Sequence, residues 1–340
     1  MKIVATDLQS CFHVISTLAV IGSIGNDSDE DISLHIKSNG SGAYCIPEGV
    51  MEAFGLKIKI VHQKECSRNL LSWFGLFFRF CFFLLNRTFV KQGERRYFIH
   101  HTYFKPTMLF YGKTGFFYVP TVISFEEGVG TYGGYQHHLR TRHTEGKRFA
   151  GLKYFGRRFL TSLVDREFRV LVGASSFDKE LFDNAVIALG NYMCWNELVR
   201  ERSASMKKSV LLVTTNLLES GLLTETAYKE RLDDFLFQWG DYDFFVKPHP
   251  TEVRGVSLYR ELGMTVLDPA VAGEYILAKS KPDVVVGFVS GLLLTSLHIY
   301  SLETYFISRE SFGLSAEAEV DDSILSLFEP VPEFGLYVGK

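Results

Sequence analysis

The sequence predicts an α/β protein built of two doubly wound, Rossmann-like halves facing each other across a cleft. Three observations lead there. Short apolar strands alternate with helical stretches, the pattern of a parallel sheet covered on both faces. The alternation runs twice, interrupted by a basic, aromatic middle and a charged linker ending at Lys207-Lys208. The chain has 340 residues, 46% of them hydrophobic, enough for two separate cores. The boundary is expected between about residues 170 and 205, giving an N-terminal domain over 1–190 and a C-terminal domain over 191–340.

In the first half, Lys2–Ala5 reads as a strand and Cys11–Ile24 as a helix, with apolar spacing at Phe12, Ile15, Leu18 and Ile21. Ile32–Ile36, Leu56–Val61 and Tyr97–His101 read as further strands, and Val122–Phe125 as one running straight into a Glu-Glu-Gly turn. The middle, Gly146–Arg169, carries Lys147, Arg148, Lys153, Arg157 and Arg158; a solvated helix face, a guide for an anionic polymer and a lipid contact are all compatible with it. Trp195–Met206 reads as a helix. The second half then gives strand Ser209–Thr214, helix Thr224–Trp239 and strand Tyr242–Val246 ending in Lys-Pro-His-Pro. After these come strand Thr265–Leu267, helix Gly273–Lys279, strand Asp283–Gly287, helix Ser290–His298 and strand Thr304–Ile307. In doubly wound sheets ligands sit outside the carboxyl ends of the strands, and the chemistry-bearing residues fall there.

Bulk properties remove several classes. The formal net charge is −3, against a general nucleic-acid binder. The five cysteines (Cys11, Cys45, Cys66, Cys81 and Cys194) are scattered without a CxxC pair, which fits a reducing cytoplasm better than a disulfide scaffold or zinc ribbon. The N-terminus reads as a first strand, not a signal peptide. Leu70–Leu85 is intensely apolar but is interrupted by Arg79 and flanked by Arg68, Arg87, Arg95 and Arg96. It is short for a membrane span and admits two readings, a buried helix with a solvated end or an interfacial helix on an anionic inner leaflet.

Four places can carry chemistry. Glu126-Glu127-Gly128 follows an apolar strand directly, where a carboxylate can take a proton from an attacking hydroxyl or simply be solvated. In Lys247-Pro248-His249-Pro250 two prolines restrict the backbone around His249, so the imidazole is either a held phosphate donor or an exposed side chain on a rigid turn. Ser290-Gly291 opens a helix after a buried strand; its free N–H groups suit a phosphate, and Ser290 suits plain N-capping equally. Glu274, after Asp268-Pro269, can meet ribose hydroxyls or complement a helix dipole. His100, His101, His137, His138 and His143 have no carboxylate or cysteine at a helical ligand spacing, so no metal site is expected. His137, His138, Arg140 and Arg142 suit acceptor or phosphate contacts beside the glycine-containing stretch Thr131–Tyr135. A Walker loop, a GxGxxG after the first strand and a GxSxG elbow are all missing.

Taken in chain order, Phe125-Glu126-Glu127-Gly128-Val129-Gly130-Thr131-Tyr132, Lys247-Pro248-His249-Pro250 and Val289-Ser290-Gly291 resemble the three motifs of bacterial sialyltransferases with the two-Rossmann (GT-B) fold. These are the lipooligosaccharide sialyltransferases of glycosyltransferase family 52 and the capsule polysialyltransferases. The opening Ala5-Thr6-Asp7-Leu8-Gln9 is similar too, whereas the third motif departs, since Gly291 stands where the family commonly has a second hydroxyl residue. The resemblance implies an inverting, metal-independent transfer of sialic acid from CMP-sialic acid to a bacterial surface glycan (lipooligosaccharide, O-antigen or capsule), with no cofactor beyond the donor. It implies Glu127 as the base with Glu126 next to it, and His249 on the CMP phosphate. Ser290 would add a phosphate hydrogen bond, Glu274 would meet the ribose, and Lys247, Pro248 and Gly291 would complete the donor site. Other readings are a Kdo-type or polyol-phosphate transferase of the same fold, and a non-catalytic glycan-binding subunit of a polysaccharide assembly complex. The expected partners are the donor, the glycan acceptor, the inner face of the cytoplasmic membrane and a second copy of the chain, but no nucleic acid.

Overall fold

The computed structural model describes residues 2–8, 10–24, 31–36, 58–62, 70–89, 96–101, 120–125, 150–168, 178–199, 207–250, 252–288, 290–307, 328–331 and 336–339. These form two compact units, the first holding the described residues as far as Tyr192 apart from Ala150, the second holding Ala150 and those from Met193 onward.

The first unit contains β1 (Lys2–Leu8), α1 (Cys11–Ile24), β2 (Asp31–Ile36), β3 (Ile58–His62), α2 (Leu70–Phe89), β4 (Arg96–His101), β5 (Thr121–Phe125), α3 (Ala150–Thr161), β6 (Arg166–Phe168) and α4 (Lys179–Tyr192). Its six strands lie in the order β3-β2-β1-β4-β5-β6, and every pairing is parallel. This is the dinucleotide-binding order, in which the winding reverses between β1 and β4. Ile3, Val4, Ala5, Ile99, Val122 and Ile123 are buried on its central strands. α1 packs against α4, where the Phe12 and Phe182 rings lie 6.3 Å apart. On one sheet face, Phe83 of α2 and Leu163 close a core with Val4, Phe98 and Val122.

The second unit holds a turn of 3₁₀ helix (Trp195–Glu197), β7 (Ser209–Val213), α5 (Glu225–Gln238), β8 (Asp243–Lys247), α6 (Arg254–Glu261), β9 (Thr265–Val266), α7 (Gly273–Ser280), β10 (Val284–Gly287), α8 (Gly291–His298), β11 (Glu303–Ile307), β12 (Phe328–Val331) and β13 (Leu336–Gly339). The sheet order is β12-β13-β11-β10-β7-β8-β9. Five parallel strands repeat the first unit's winding, and an antiparallel hairpin closes one edge. Val210, Leu212, Val246, Val284 and Val286 form the centre of the core, covered by Tyr228, Leu232, Phe235, Leu258 and Tyr259.

The expected doubly wound class holds in both units, and most expected elements are present within a residue or two. Trp195–Met206 is not a helix as far as Val199: only Trp195–Glu197 is helical, as a single 3₁₀ turn. Cys194 precedes it in a left-handed conformation (φ 55°), which ends α4. Trp195 is buried, its ring 5.6 Å from that of Tyr275, so a tertiary contact rather than helical propensity sets the path. The strand β6, the helices α4 and α6 and the β12–β13 hairpin went unread in the sequence. α6 is only eight residues long, and its start is capped from a distance: Glu219 Oε1 accepts from the backbone N–H groups of Val253 (2.8 Å) and Arg254 (2.7 Å).

The apolar helix α2 is not the buried helix that one reading expected. Leu76 and Phe83 are buried, but Phe74, Phe77, Phe78, Phe82 and Leu85 are exposed. Among the described residues no helix is long and apolar enough to cross a membrane.

Candidate functional site

The winding of the second sheet reverses between β7 and β10, so the region beyond the carboxyl ends of β7, β8 and β10 is where a ligand is expected. Register places the end residues of these strands in one row: Gly287 pairs with Val213, and Val213 with Lys247. Neighbouring strands lie about 4.8 Å apart, so the turn after β8 and the start of α8 are separated by roughly 10 Å of sheet. Gly287 is required for this row, since a Cβ there would stand 2.4 Å from the Val213 carbonyl oxygen.

Beyond β8 the chain turns through Lys247-Pro248-His249-Pro250. Lys247 is buried, and its ammonium donates to the carbonyl oxygens of Pro248 (3.1 Å) and Pro269 (2.9 Å). It thereby ties the turn to the loop between β9 and α7. Pro248 is buried, His249 half-buried and Pro250 exposed. Burial pushes the His249 imidazole below its ordinary range, and the Lys247 charge pushes it the same way against a smaller opposing pull from Glu219. His249 is therefore neutral at neutral pH and poised to take up a proton when an anion arrives.

The residue that holds this turn was missed in the sequence. Glu252 is 3% exposed and accepts three hydrogen bonds, from the Thr214 hydroxyl, from the Tyr259 hydroxyl and from the backbone N–H of His249 (3.1 Å). The Tyr259 and Tyr228 hydroxyls are paired in turn at 2.8 Å. Burial drives the Glu252 pKa up, and the hydrogen bonds from Thr214, Tyr259 and the His249 backbone restrain it. Both tyrosines are pushed up as well, by burial first. The cluster needs Gly255, because a Cβ there would stand 2.2 Å from Glu252 Oε1. The available signal was a carboxylate three residues after His249, in Pro-His-Pro-x-Glu; nothing local shows that it points inward.

At β10 the loop reaches Ser290, the N-cap of α8, whose side chain accepts from the Leu293 N–H at 3.4 Å. The capping reading of Ser290 is thus realised, while its O–H and the free N–H groups of the first turn can still donate to a phosphate. Gly291 is partly exposed beside it. Thr295 and Ser296 do not replace the family's second hydroxyl. Both are fully buried, Thr295 bonding to the Gly291 carbonyl (3.0 Å) and Ser296 to the Leu293 carbonyl (2.7 Å) and Thr304 (2.9 Å).

Glu274 lies in the first turn of α7 and is 8% exposed. Burial raises its pKa, against its own backbone N–H and the positive charge of Lys247. Lys247 thus acts electrostatically on both His249 and Glu274. A cavity of about 320 Å³ elsewhere in this unit, between Leu198, Leu211, Val266 and Ile276, is lined by none of Lys247, His249, Glu274 or Ser290.

In the first unit β5 ends at Phe125, level with His101 of β4. Glu126 and Glu127, which come next in the chain, lie outside the described residues. So do Gly128, Thr131–Tyr135, His137, His138, Arg140, Arg142, His143 and Val289. Among the described residues no group of three or more His, Cys, Asp or Glu could hold a metal ion.

A family model described as alpha-2,8-polysialyltransferase (POLYST) matches residues 112–307, more than half of the chain. The match spans both Glu126-Glu127-Gly128 and the strand ends described above. No curated protein matches. Similar solved structures include an alpha/beta-galactoside alpha-2,3-sialyltransferase from Photobacterium phosphoreum (12% identity, 86% of this chain and 87% of that one, TM-score 0.49). A sialyltransferase from Photobacterium damsela (13% identity, 86% and 72%, TM-score 0.49) and a UDP-GlcNAc 2-epimerase from Neisseria meningitidis (12% identity, 84% and 77%, TM-score 0.43) are similar too.

Proposed function

The chain belongs to the alpha-2,8-polysialyltransferase family, and on that premise we propose that this glycosyltransferase moves sialic acid from CMP-sialic acid to a hydroxyl of a bacterial surface glycan. The observation that carries the reading is the row at the carboxyl ends of β10, β7 and β8, which sets a held imidazole and a helix N-terminus about two strand spacings apart. One phosphate with its hydrogen bonds spans such a gap. His249 donates a hydrogen bond to the departing CMP phosphate and, protonated from solvent when the donor binds, offsets the negative charge that builds there; Ser290 and the first N–H groups of α8 supply the other donors. Glu274 meets the ribose, while Pro248 and Gly291 shape the backbone around the donor. Lys247 fixes the turn from beneath by donating to two carbonyls and brings its positive charge to the donor site beside His249 and Glu274.

On the acceptor side Glu127, with Glu126 beside it, removes the proton of the attacking hydroxyl. Attack in line with the departing CMP inverts the anomeric centre. A monophosphate leaving group carries little enough charge for an imidazole and helix-end donors to stabilise without a metal. The enzyme works in the cytoplasm, at the inner face of the membrane.

The test is incubation with CMP-, UDP-, GDP- and CDP-activated donors and a panel of glycan acceptors. CMP release from CMP-sialic acid, unchanged by EDTA, is the expected result, with loss of at least about 100-fold in kcat for Glu127→Gln and for His249→Ala. Turnover of UDP-sugars alone, or full activity in both variants, overturns the reading.

A further inference from the structure

Two helices of the first unit present an outer face that a solvated helix pair would not. α2 and α3 cover the same face of the first sheet: Phe80, Phe83 and Leu84 of α2 and Leu160 of α3 pack with Leu163 and Val164 against Val4, Phe98 and Val122. Their opposite faces therefore look outward on the same side. On α2 the outward residues are Phe74, Phe77, Phe78, Phe82 and Leu85, between 38% and 67% exposed, and helical spacing gathers them into one stripe opposite Leu76 and Phe83. On α3, Phe155 and Phe159 are 62% and 51% exposed, with Arg158 exposed between them. These seven are most of the eleven large hydrophobic side chains exposed among the described residues, so the patch is a concentration and not a scatter.

The charge of the same region points to what covers it. α2 carries Arg79 and Arg87, and α3 carries Lys153, Arg157 and Arg158; neither helix has an acidic residue, in a chain of net charge −3. Arg87 meets Asp165 at 2.6 Å, and Arg79 and Arg158 are exposed beside the aromatic stripe. A second copy of the chain is the poorer occupant. A two-fold contact sets a patch against itself and would bring these cations together across an apolar seam. An anionic lipid surface suits both components, since aromatic rings settle at the headgroup boundary and cations meet lipid phosphates. α2 is about 30 Å long if straight, and its exposed residues run from Phe74 to Leu85 along one side, so that side rather than an end would meet the bilayer.

We propose that the outer face of α2 and α3 is a peripheral membrane-binding surface selective for anionic lipid, seating the first unit on the bilayer. This stands independently of the transferase reading, since binding is measured without donor or acceptor. The experiment is flotation of the full chain at 100 mM salt with vesicles of phosphatidylcholine alone or with about one third phosphatidylglycerol. The protein is expected to float with the anionic vesicles at least about tenfold more than with the neutral ones. The pairs Phe77→Ser with Phe78→Ser, and Arg79→Glu with Arg158→Glu, should each lose about tenfold or more of that binding, with thermal midpoints within a few degrees of the parent. Equal binding to neutral vesicles overturns the proposal, and so does unchanged flotation of both folded pairs. A dimer in sedimentation equilibrium that Phe77→Ser with Phe78→Ser dissolves also overturns it, because the face would then be a contact between copies.

Discussion

Both units wind their first five strands in the same order, yet they use what lies around those strands in opposite ways. In the second unit the strand ends enclose ionisable groups: Lys247, Glu252 and Glu274 are all under 9% exposed, and the tyrosine pair beneath them is buried too. In the first unit the described helices on one side of the sheet turn aromatic rings outward instead. A doubly wound sheet supplies the same scaffold twice, and function is set by what is desolvated at the strand ends and what is left wet on the helices. Burying a carboxylate costs several kcal/mol unless its oxygens are occupied by donors, so a unit that buries two such groups beside one lysine has a rigid, polar-lined end. Exposed phenylalanines have the reverse meaning, because they are tolerated where another apolar phase covers them.

The largest way to break this contrast is Glu252→Ala. It leaves the Thr214 and Tyr259 hydroxyls and the His249 N–H without their acceptor, at about 1–3 kcal/mol for each buried group that finds no other partner. Denaturant unfolding should show a loss of at least about 3 kcal/mol, and the donor KM should rise with it. Glu252→Gln sharpens the test. Its carbonyl can take the Thr214 and His249 donors while its amide donates to Tyr259, which turns its own proton to Tyr228. The glutamine variant should therefore recover most of the stability; equal loss in both variants would show that charge, not hydrogen bonding, holds the turn.

Gly287→Ala should come next. The added methyl meets the Val213 backbone in the central strand pair, and overpacking of that kind costs about 1–3 kcal/mol. A thermal melt of the full chain, read with a probe in the second unit, should show the drop there.

The third prediction is a pH dependence. The free His249 pKa lies below the usual 6.5, held down by burial and then by Lys247. Anion binding favours the protonated form, so CMP affinity should rise as pH falls through the neutral range and level off below the free pKa. The sign for stability agrees: a lowered histidine pKa means the unfolded chain binds more protons, so this contribution is present above pH 6.5 and fades as pH falls through the folded pKa. Calorimetric titration with CMP should show the slope in the parent and a flat profile in His249→Asn.

The smallest effect belongs to the first unit. Arg87 meets Asp165 through two hydrogen bonds, of 3.3 and 2.6 Å, at a partly exposed site between the end of α2 and the segment after α3. Arg87→Ala should cost under about 1 kcal/mol. Asp165→Ala should cost more, because the same carboxylate also accepts from the Val122 N–H at 2.8 Å. A difference in melting temperature between the two variants measures that backbone bond.

Much of the fold was legible before any coordinates. Cys11–Ile24 and the strand runs Val122–Phe125 and Ser209–Thr214 carry periodicity and β-branched residues within a single window. His249 and Ser290 were legible as well, since prolines and an N-cap serine declare their backbone locally. Glu252 was not, because only Thr214, 38 residues earlier, and Tyr259 make its inward position tolerable. α6 was missed for the same reason, its cap coming from Glu219 over 30 residues away. The two carbonyl bonds of the Lys247 ammonium are equally illegible locally, since Pro269 lies 22 residues further on.

What the sequence determined by itself is the order of strands and helices and the chemistry placed at each strand end, because propensity, capping and proline restriction act within a few residues. Tertiary structure alone decided which groups share an environment. It set Gly287, Val213 and Lys247 in one row, turned Glu252 inward, and chose which side of the uniformly apolar α2 stays wet. Those outcomes depend on desolvation and on partners far along the chain, and no local pattern encodes them.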